Sequence, residues 1–215
     1  LKVINLIVLF YVGLPFLAPV FMKANLTHPA KLIYGMYGVV CHQLAYRSFF
    51  LFGQQFVYPR EIAGMEDLKS YTQATGLPEV NSAEAILLAR QFIGNKQVGY
   101  KVALCQRDIA IYLGILAFGL IFSLNRNFRA LPWYVWILLG IVPIGLDGIS
   151  QIISQPPFNL IPFRESTPYL RALTGFAFGF FTAWFGFPSV EESMADTRKI
   201  LYTKRMRLLQ AQSEL

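Results

Sequence analysis

The sequence predicts an all-α fold: an integral membrane helical bundle of four or five transmembrane helices with an extracytoplasmic insertion. Three observations predict it. Hydrophobic residues make up 55% of the 215 and charged ones only 14%, against about 25% charge in a soluble domain. The mean hydropathy is +0.45. The charges fall between apolar runs long enough to cross a bilayer. The formal charge of +7 is scattered between these runs, with no basic stripe interleaved with aromatics. It is therefore read as membrane orientation, and nucleic acid is excluded as a partner.

Leu1 to Met22 is almost wholly apolar and is bracketed by Lys2 and Lys23. It is long enough to span and longer than a signal-peptide core, so a retained helix, kinked at Pro15 and Pro19, is expected. Ala30 to Gly53 is apolar but interrupted by His42, Gln43 and Arg47. It either spans, with those groups facing the bundle interior, or re-enters at one interface; spanning is preferred because Phe49 to Phe52 resumes the apolar pattern. Residues 54–104 form the inserted soluble segment, with short helices expected over Met65–Thr75 and from Asn81 to about Ile93.

Three further apolar runs follow: Ile109–Leu124, Trp133–Ile153 and Tyr169–Phe187. Trp133, Tyr134 and Trp136 suggest an interfacial belt. Gly175 and Gly179, four residues apart, permit close helix packing. Residues 1–188 thus form the bundle, and 189–215 a cytoplasmic, amphipathic, basic tail suited to an anionic leaflet.

Arg126 and Arg129 in a short loop, with the basic tail, set the cytoplasmic side. Five spans would put the N-terminus outside, four inside. In both cases Cys105, Arg107, Asp108, Asp147, Gln151, Arg164, Glu165 and Arg171 gather near the extracytoplasmic face, where Cys41, His42, Gln43 and Arg47 can join them. Ionisable groups at membrane depth are costly unless paired, which marks the cluster as a candidate site.

The ordered motifs Cys41-His42-Gln43…Arg47-Ser48-Phe49-Phe50, Cys105-x-Arg107…Ile111-Tyr112-x-Gly114, Asp147-Gly148…Gln151 and Arg171…Thr174-Gly175 resemble a prokaryotic membrane family. That family is the uncharacterised one labelled domain of unknown function 2085. The resemblance spans roughly Ala30 to Gly179 and implies a small polytopic protein of a prokaryotic cytoplasmic membrane, with no activity assigned. The chain departs from the family pattern in two ways: Asp108 stands where many members have a second cysteine, and residues 54–104 separate the two cysteine motifs.

The chemistry of the cluster leaves several readings open. Cys41, Cys105 and Asp108, with His42, suit a zinc ion; Cys41 and Cys105 suit a disulfide on an oxidising face; or both are free buried thiols. Arg47, Arg107, Arg164 and Arg171, with Gln43 and Gln151, suit an anionic amphiphile such as a lipid headgroup, a polyprenyl phosphate or a quinone. His42 and Asp147 are the acid/base candidates. Set against these is a closed structural network in which Arg107 pairs Asp147 and Arg171 pairs Glu165. The functional readings are a membrane protein binding such an amphiphile, a non-catalytic accessory subunit of a larger membrane complex, or a metal- or thiol-dependent membrane enzyme. No phosphate-cradling glycine loop or Gly-x-Ser-x-Gly is present, and two histidines leave no room for a bis-histidine haem core.

Overall fold

A computed structural model describes the backbone of residues 1–213 and the side chains of residues 1–206. Arg207, Leu208 and Leu209, whose side chains contribute to the expected tail amphipathicity, lie outside the described side chains. Among the described residues, four helices are long and apolar enough to cross a membrane: α1 (Lys2–Lys23), then, after α2 (Thr27–Gly38) and the cap, the helices over Gln106–Leu124, Trp133–Ile153 and Pro168–Met206. Their outward faces are apolar and exposed, with Leu6, Phe10, Leu120, Leu138, Leu146 and Ile149 among them. Only a hydrocarbon environment covers such a surface without cost.

The second apolar stretch is not a span. α2 has 12 residues, which at 1.5 Å per residue reach about 18 Å, short of the roughly 30 Å hydrocarbon core. The chain then leaves the helix: Gln43 takes a left-handed backbone conformation (φ 49°), a single turn forms at Ala45–Arg47, and β1 (Ser48–Leu51) begins. The preference for a fifth helix through Ala30–Gly53 is therefore corrected. Hydrophobicity there serves a strand and a buried turn.

The inserted segment is a small cap. It contains α3 (Tyr71–Thr75), α4 (Ala83–Gln91), β2 (Gly94–Asn95) and β3 (Gly99–Cys105). α3 starts later than expected because Ser70 and Gln73 form a reciprocal capping box, and Gly76 in the left-handed region ends it. Ser82, rather than Asn81, caps α4 through the Ala85 amide. β3 is the centre of a three-stranded antiparallel sheet in the order β1-β3-β2, pairing Ser48 with Cys105 and Phe50 with Lys101. The cap has its own core of Tyr46, Phe50, Tyr58, Tyr71, Val80 and Val98.

β3 passes directly into α5 (Gln106–Leu124). The next span, α6 (Trp133–Ile153), carries a π turn at Ile137–Ile141. Just before it, Trp136 donates to Thr182 and stacks on Phe185, while Trp133 and Tyr134 are exposed. The last helix, α7 (Pro168–Ser213), is continuous and contains Pro188. α5 and α7 approach closely because glycines face the neighbouring backbone. A Cβ on Gly175 would sit 2.8 Å from the Arg107 carbonyl oxygen, and one on Gly179 would collide with that of Ile111.

The two ends of the bundle differ. At one, Asn5 donates to Ser123 and Arg126 pairs with Glu191 at 2.7 Å, so the start of α1, the 125–132 loop and the distal half of α7 share that end. The sheet and the cap sit at the other. We expect Gly179→Ala to destabilise the protein by about 1–3 kcal/mol through overpacking. Gly186→Ala, with open space around the site, should be near neutral. Unfolding in non-ionic detergent micelles measures both.

Candidate functional site

Each functional side chain is carried to the cap end by an element boundary. The turn after α2 supplies Cys41 and His42, and the turn before β1 supplies Arg47. The β3–α5 junction supplies Cys105, Arg107 and Asp108, with Asp108 in the first helical turn, where the amide dipoles favour a carboxylate. The first turn of α7 supplies Arg171. His42, Arg47, Cys105, Arg107, Asp108 and Arg171 together line a cavity of about 190 Å³. A larger apolar groove, about 330 Å³ between Leu1, Ile4, Phe187 and Val190, opens at the opposite end and holds no ionisable side chain. It belongs to the lipid-facing surface.

Behind the cavity the arginines are anchored by two carboxylates. Glu165, fully buried, accepts from Arg47 at 2.8 and 3.0 Å and from Arg171, and faces Arg60 at 3.5 Å. Asp147, also buried, accepts from Arg107, from Arg164 at 3.1 Å, from Ser166 at 2.9 Å and from Gln151 at 3.3 Å. The Arg107–Asp147 and Arg171–Glu165 pairs of the closed-network reading are thus both formed. Burial of charge at these depths is tolerable only with such pairing.

The remaining site expectations divide. Asp147 does not line the cavity; its carboxylate is taken up by four partners. Arg164 lies behind it, donating to Asp147 and Ser150. Gln151 caps its own helix turn on the Asp147 carbonyl. Gln43 is a scaffold residue, its amide donating to the carbonyls of Tyr34 and Ala103 at 2.9 Å. His42 stays at the cavity wall. Loss of solvent around its ring and the nearby Arg47 lower its pKa, against the opposing pull of Asp108. It is exposed by surface area, yet the ring is neutral at neutral pH, because a shift below the ordinary value only empties the charged state further.

The two cysteines are free and buried. Their sulfurs and a carboxylate oxygen of Asp108 all lie within 4.8 Å of one another, a group that could hold a metal ion. A hydrogen bond from Cys105 lowers the Cys41 pKa. The same bond, together with burial, pushes the Cys105 thiol up.

The family description "Predicted membrane protein (DUF2085)" matches residues 92–185. Over those residues the chain is similar to that family. An uncharacterized protein of Methanocaldococcus jannaschii is 24% identical over 187 residues, covering 84% of this chain and 85% of that protein. No solved structure matches the chain. The DUF2085 match takes in Cys105, Arg107, Asp108, Asp147, Glu165 and Arg171 but not the Cys41–Phe50 motif, which completes the cavity wall from an earlier part of the chain.

Sequence reading missed two buried cations. Arg60, from the cap, pairs with Glu79 at 2.9 Å and lies 5.2 Å over the Phe163 ring. Lys101, in mid-β3, donates to the carbonyls of Gln43 at 2.8 Å and Arg90 at 2.5 Å. No local alternation marks it, because β3 is buried along almost its whole length. Burial lowers its pKa from the ordinary 10.5 to about 7, with Cys41 pulling the other way. The unfolded chain therefore binds the extra proton between those values, so this lysine's contribution makes stability rise with pH across that window. The melting temperature of the parent relative to Lys101→Met should climb from about pH 7 towards pH 10. A flat difference would contradict the assignment.

Proposed function

We propose that this membrane protein binds the headgroup of an anionic amphiphile in the cavity at the cap end of its bundle. The observation that carries the reading is the lining itself: three guanidinium groups against one carboxylate in about 190 Å³. The surrounding cluster of Arg47, Arg60, Arg107, Arg164 and Arg171 outnumbers Glu79, Asp108, Asp147 and Glu165 by one charge, so the unliganded site is short of one anion. Arg107 Nε is buried and has no hydrogen-bond partner among the described residues. A planar donor fork held in place by Asp147 on one side is prepared for a phosphate or carboxylate oxygen on the other.

The volume suits a headgroup rather than a whole lipid. A phosphate-bearing lipid or polyprenyl phosphate fits the three arginines better than a quinone, which brings no charge to neutralise them. Such a ligand would leave its chain along the exposed apolar faces. Lys2, Arg126, Arg129, Arg198, Lys199, Lys204 and Arg205 belong to the opposite end and its helical extension, which supports placing that end in the cytoplasm and the cavity at the extracytoplasmic face. His42, neutral at the wall, is the acid/base candidate should the bound group react. An accessory-subunit role draws on a different feature, the apolar residues Met194, Ile200, Leu201 and Tyr202 exposed along the α7 extension. Co-isolation of other membrane proteins in fixed ratio favours that reading.

Dioctanoyl phosphatidylglycerol and the zwitterionic dioctanoyl phosphatidylcholine, titrated into the purified protein in non-ionic detergent, test the proposal. Loss of a charge-assisted hydrogen bond of about 1.5–3 kcal/mol should weaken the anionic lipid about tenfold or more in Arg107→Ala and Arg47→Ala, with little change for the zwitterion. Equal binding of the anionic lipid by parent and folded variants would refute it.

A further inference from the structure

Two sulfurs and a carboxylate oxygen meet at one corner of the cavity from three separate pieces of chain. Cys41 comes from the turn after α2, Cys105 is the last residue of β3, and Asp108 stands in the first turn of α5. Their candidate ligand atoms all lie within 4.8 Å of one another. Ligands bound tetrahedrally at 2.0–2.3 Å are separated by roughly 3.3–3.8 Å, so small side-chain rotations close this group around an ion. We propose that Cys41, Cys105 and Asp108 bind one zinc ion, its fourth coordination position open to the arginine-lined cavity.

The orientation of Asp108 is the first argument. It lines a cavity with three arginines, yet among the described residues it forms no ion pair. Asp147 and Glu165, which do not line the cavity, gather five arginine contacts between them. A carboxylate that keeps company with thiols in preference to available guanidinium groups is placed for a cation shared with those thiols. A disulfide would join the two sulfurs and leave Asp108 with neither an ion pair nor a ligand role.

The second argument is charge. Two thiolates and a carboxylate carry three negative charges, and a zinc ion returns two. The remaining negative charge sits beside Arg47, Arg107 and Arg171, which line the same cavity and offset it. Soft sulfur donors with one carboxylate select zinc over magnesium or calcium. The backbone N–H of Gln43 donates to Cys41 Sγ at 3.5 Å, a hydrogen bond that steadies a ligand sulfur. His42 lines the cavity but stands outside the ligand group, so the chain provides three donors and an open position, the arrangement of sites where zinc meets a water or a substrate oxygen. The metal site stands independently of the lipid proposal, because none of its ligands is an arginine.

The test uses the full chain in detergent, stripped with a chelator and reloaded with zinc or cobalt in the absence of anionic lipid. One equivalent of zinc per chain by elemental analysis is expected. Cobalt should give a sulfur-to-cobalt charge-transfer band and the visible bands of a four-coordinate ion. Zinc should also protect both cysteines of the unmutated protein from alkylation, a readout that needs no variant to fold. Cys41→Ser and Asp108→Asn should weaken binding by about a hundredfold and about tenfold respectively. No metal above background, alkylation unaffected by zinc, or binding unchanged in Asp108→Asn would overturn the proposal. So would intact-mass data showing a Cys41–Cys105 disulfide that persists through isolation.

Discussion

One buried carboxylate holds the cap to the bundle. Glu165 is met by Arg47 from the turn before β1, Arg60 from the cap and Arg171 from α7, so three segments remote in sequence share a single counter-ion. Arg60 and Arg171 are themselves almost fully buried. Without Glu165 their charges would face each other at low dielectric, where repulsion is weakly screened. Arg60 adds a second tie by stacking over Phe163 and Tyr46, one ring from the loop before α7 and one from the cap. The ion cluster has little hydrophobic gain of its own. It fixes which surface of the cap faces which helix.

Helix packing then sets the depth of the site. Glycines at 114, 175 and 179 let α5 and α7 touch backbone to backbone, and this brings Arg107 and Arg171 to one level. β3 continues without a break into α5, so the register of the sheet is transmitted to Cys105, Arg107 and Asp108. The sheet register also pairs Ser48 with Cys105, placing Arg47 beside that junction. A soluble-type strand pair and a membrane-type helix pair therefore converge on the same cavity. Groups with incompatible solvents are joined there by ion pairs that neither layer could satisfy alone.

Much of this was legible in the sequence, and the limits have physical causes. The four spans follow from apolar length. The gathering of Cys41, Cys105, Arg107, Asp147 and Arg171 at one end follows from alternation of those spans. The three-stranded sheet did not emerge, because Ser48–Leu51 is too short to show alternation and lies inside an apolar stretch that imitates a helix. β3 was disguised by Lys101, a charge that is satisfied by two backbone carbonyls rather than by solvent. Gln43 and Gln151 looked like ligand groups because polar residues near membrane depth suggest function. Both instead cap backbone carbonyls, a use that depends on tertiary neighbours and leaves no local trace.

The most direct test of the central role of Glu165 is the stability of Glu165→Ala, followed by unfolding in detergent and by proteolysis of the cap. Removing one partner of a buried ion cluster should cost about 3–5 kcal/mol and expose the 54–104 segment to protease. Glu191→Ala, which breaks an exposed pair with Arg126, should cost less than about 1 kcal/mol. A Glu165→Ala protein as stable as the Glu191→Ala one, with its cap still protected, would contradict the account.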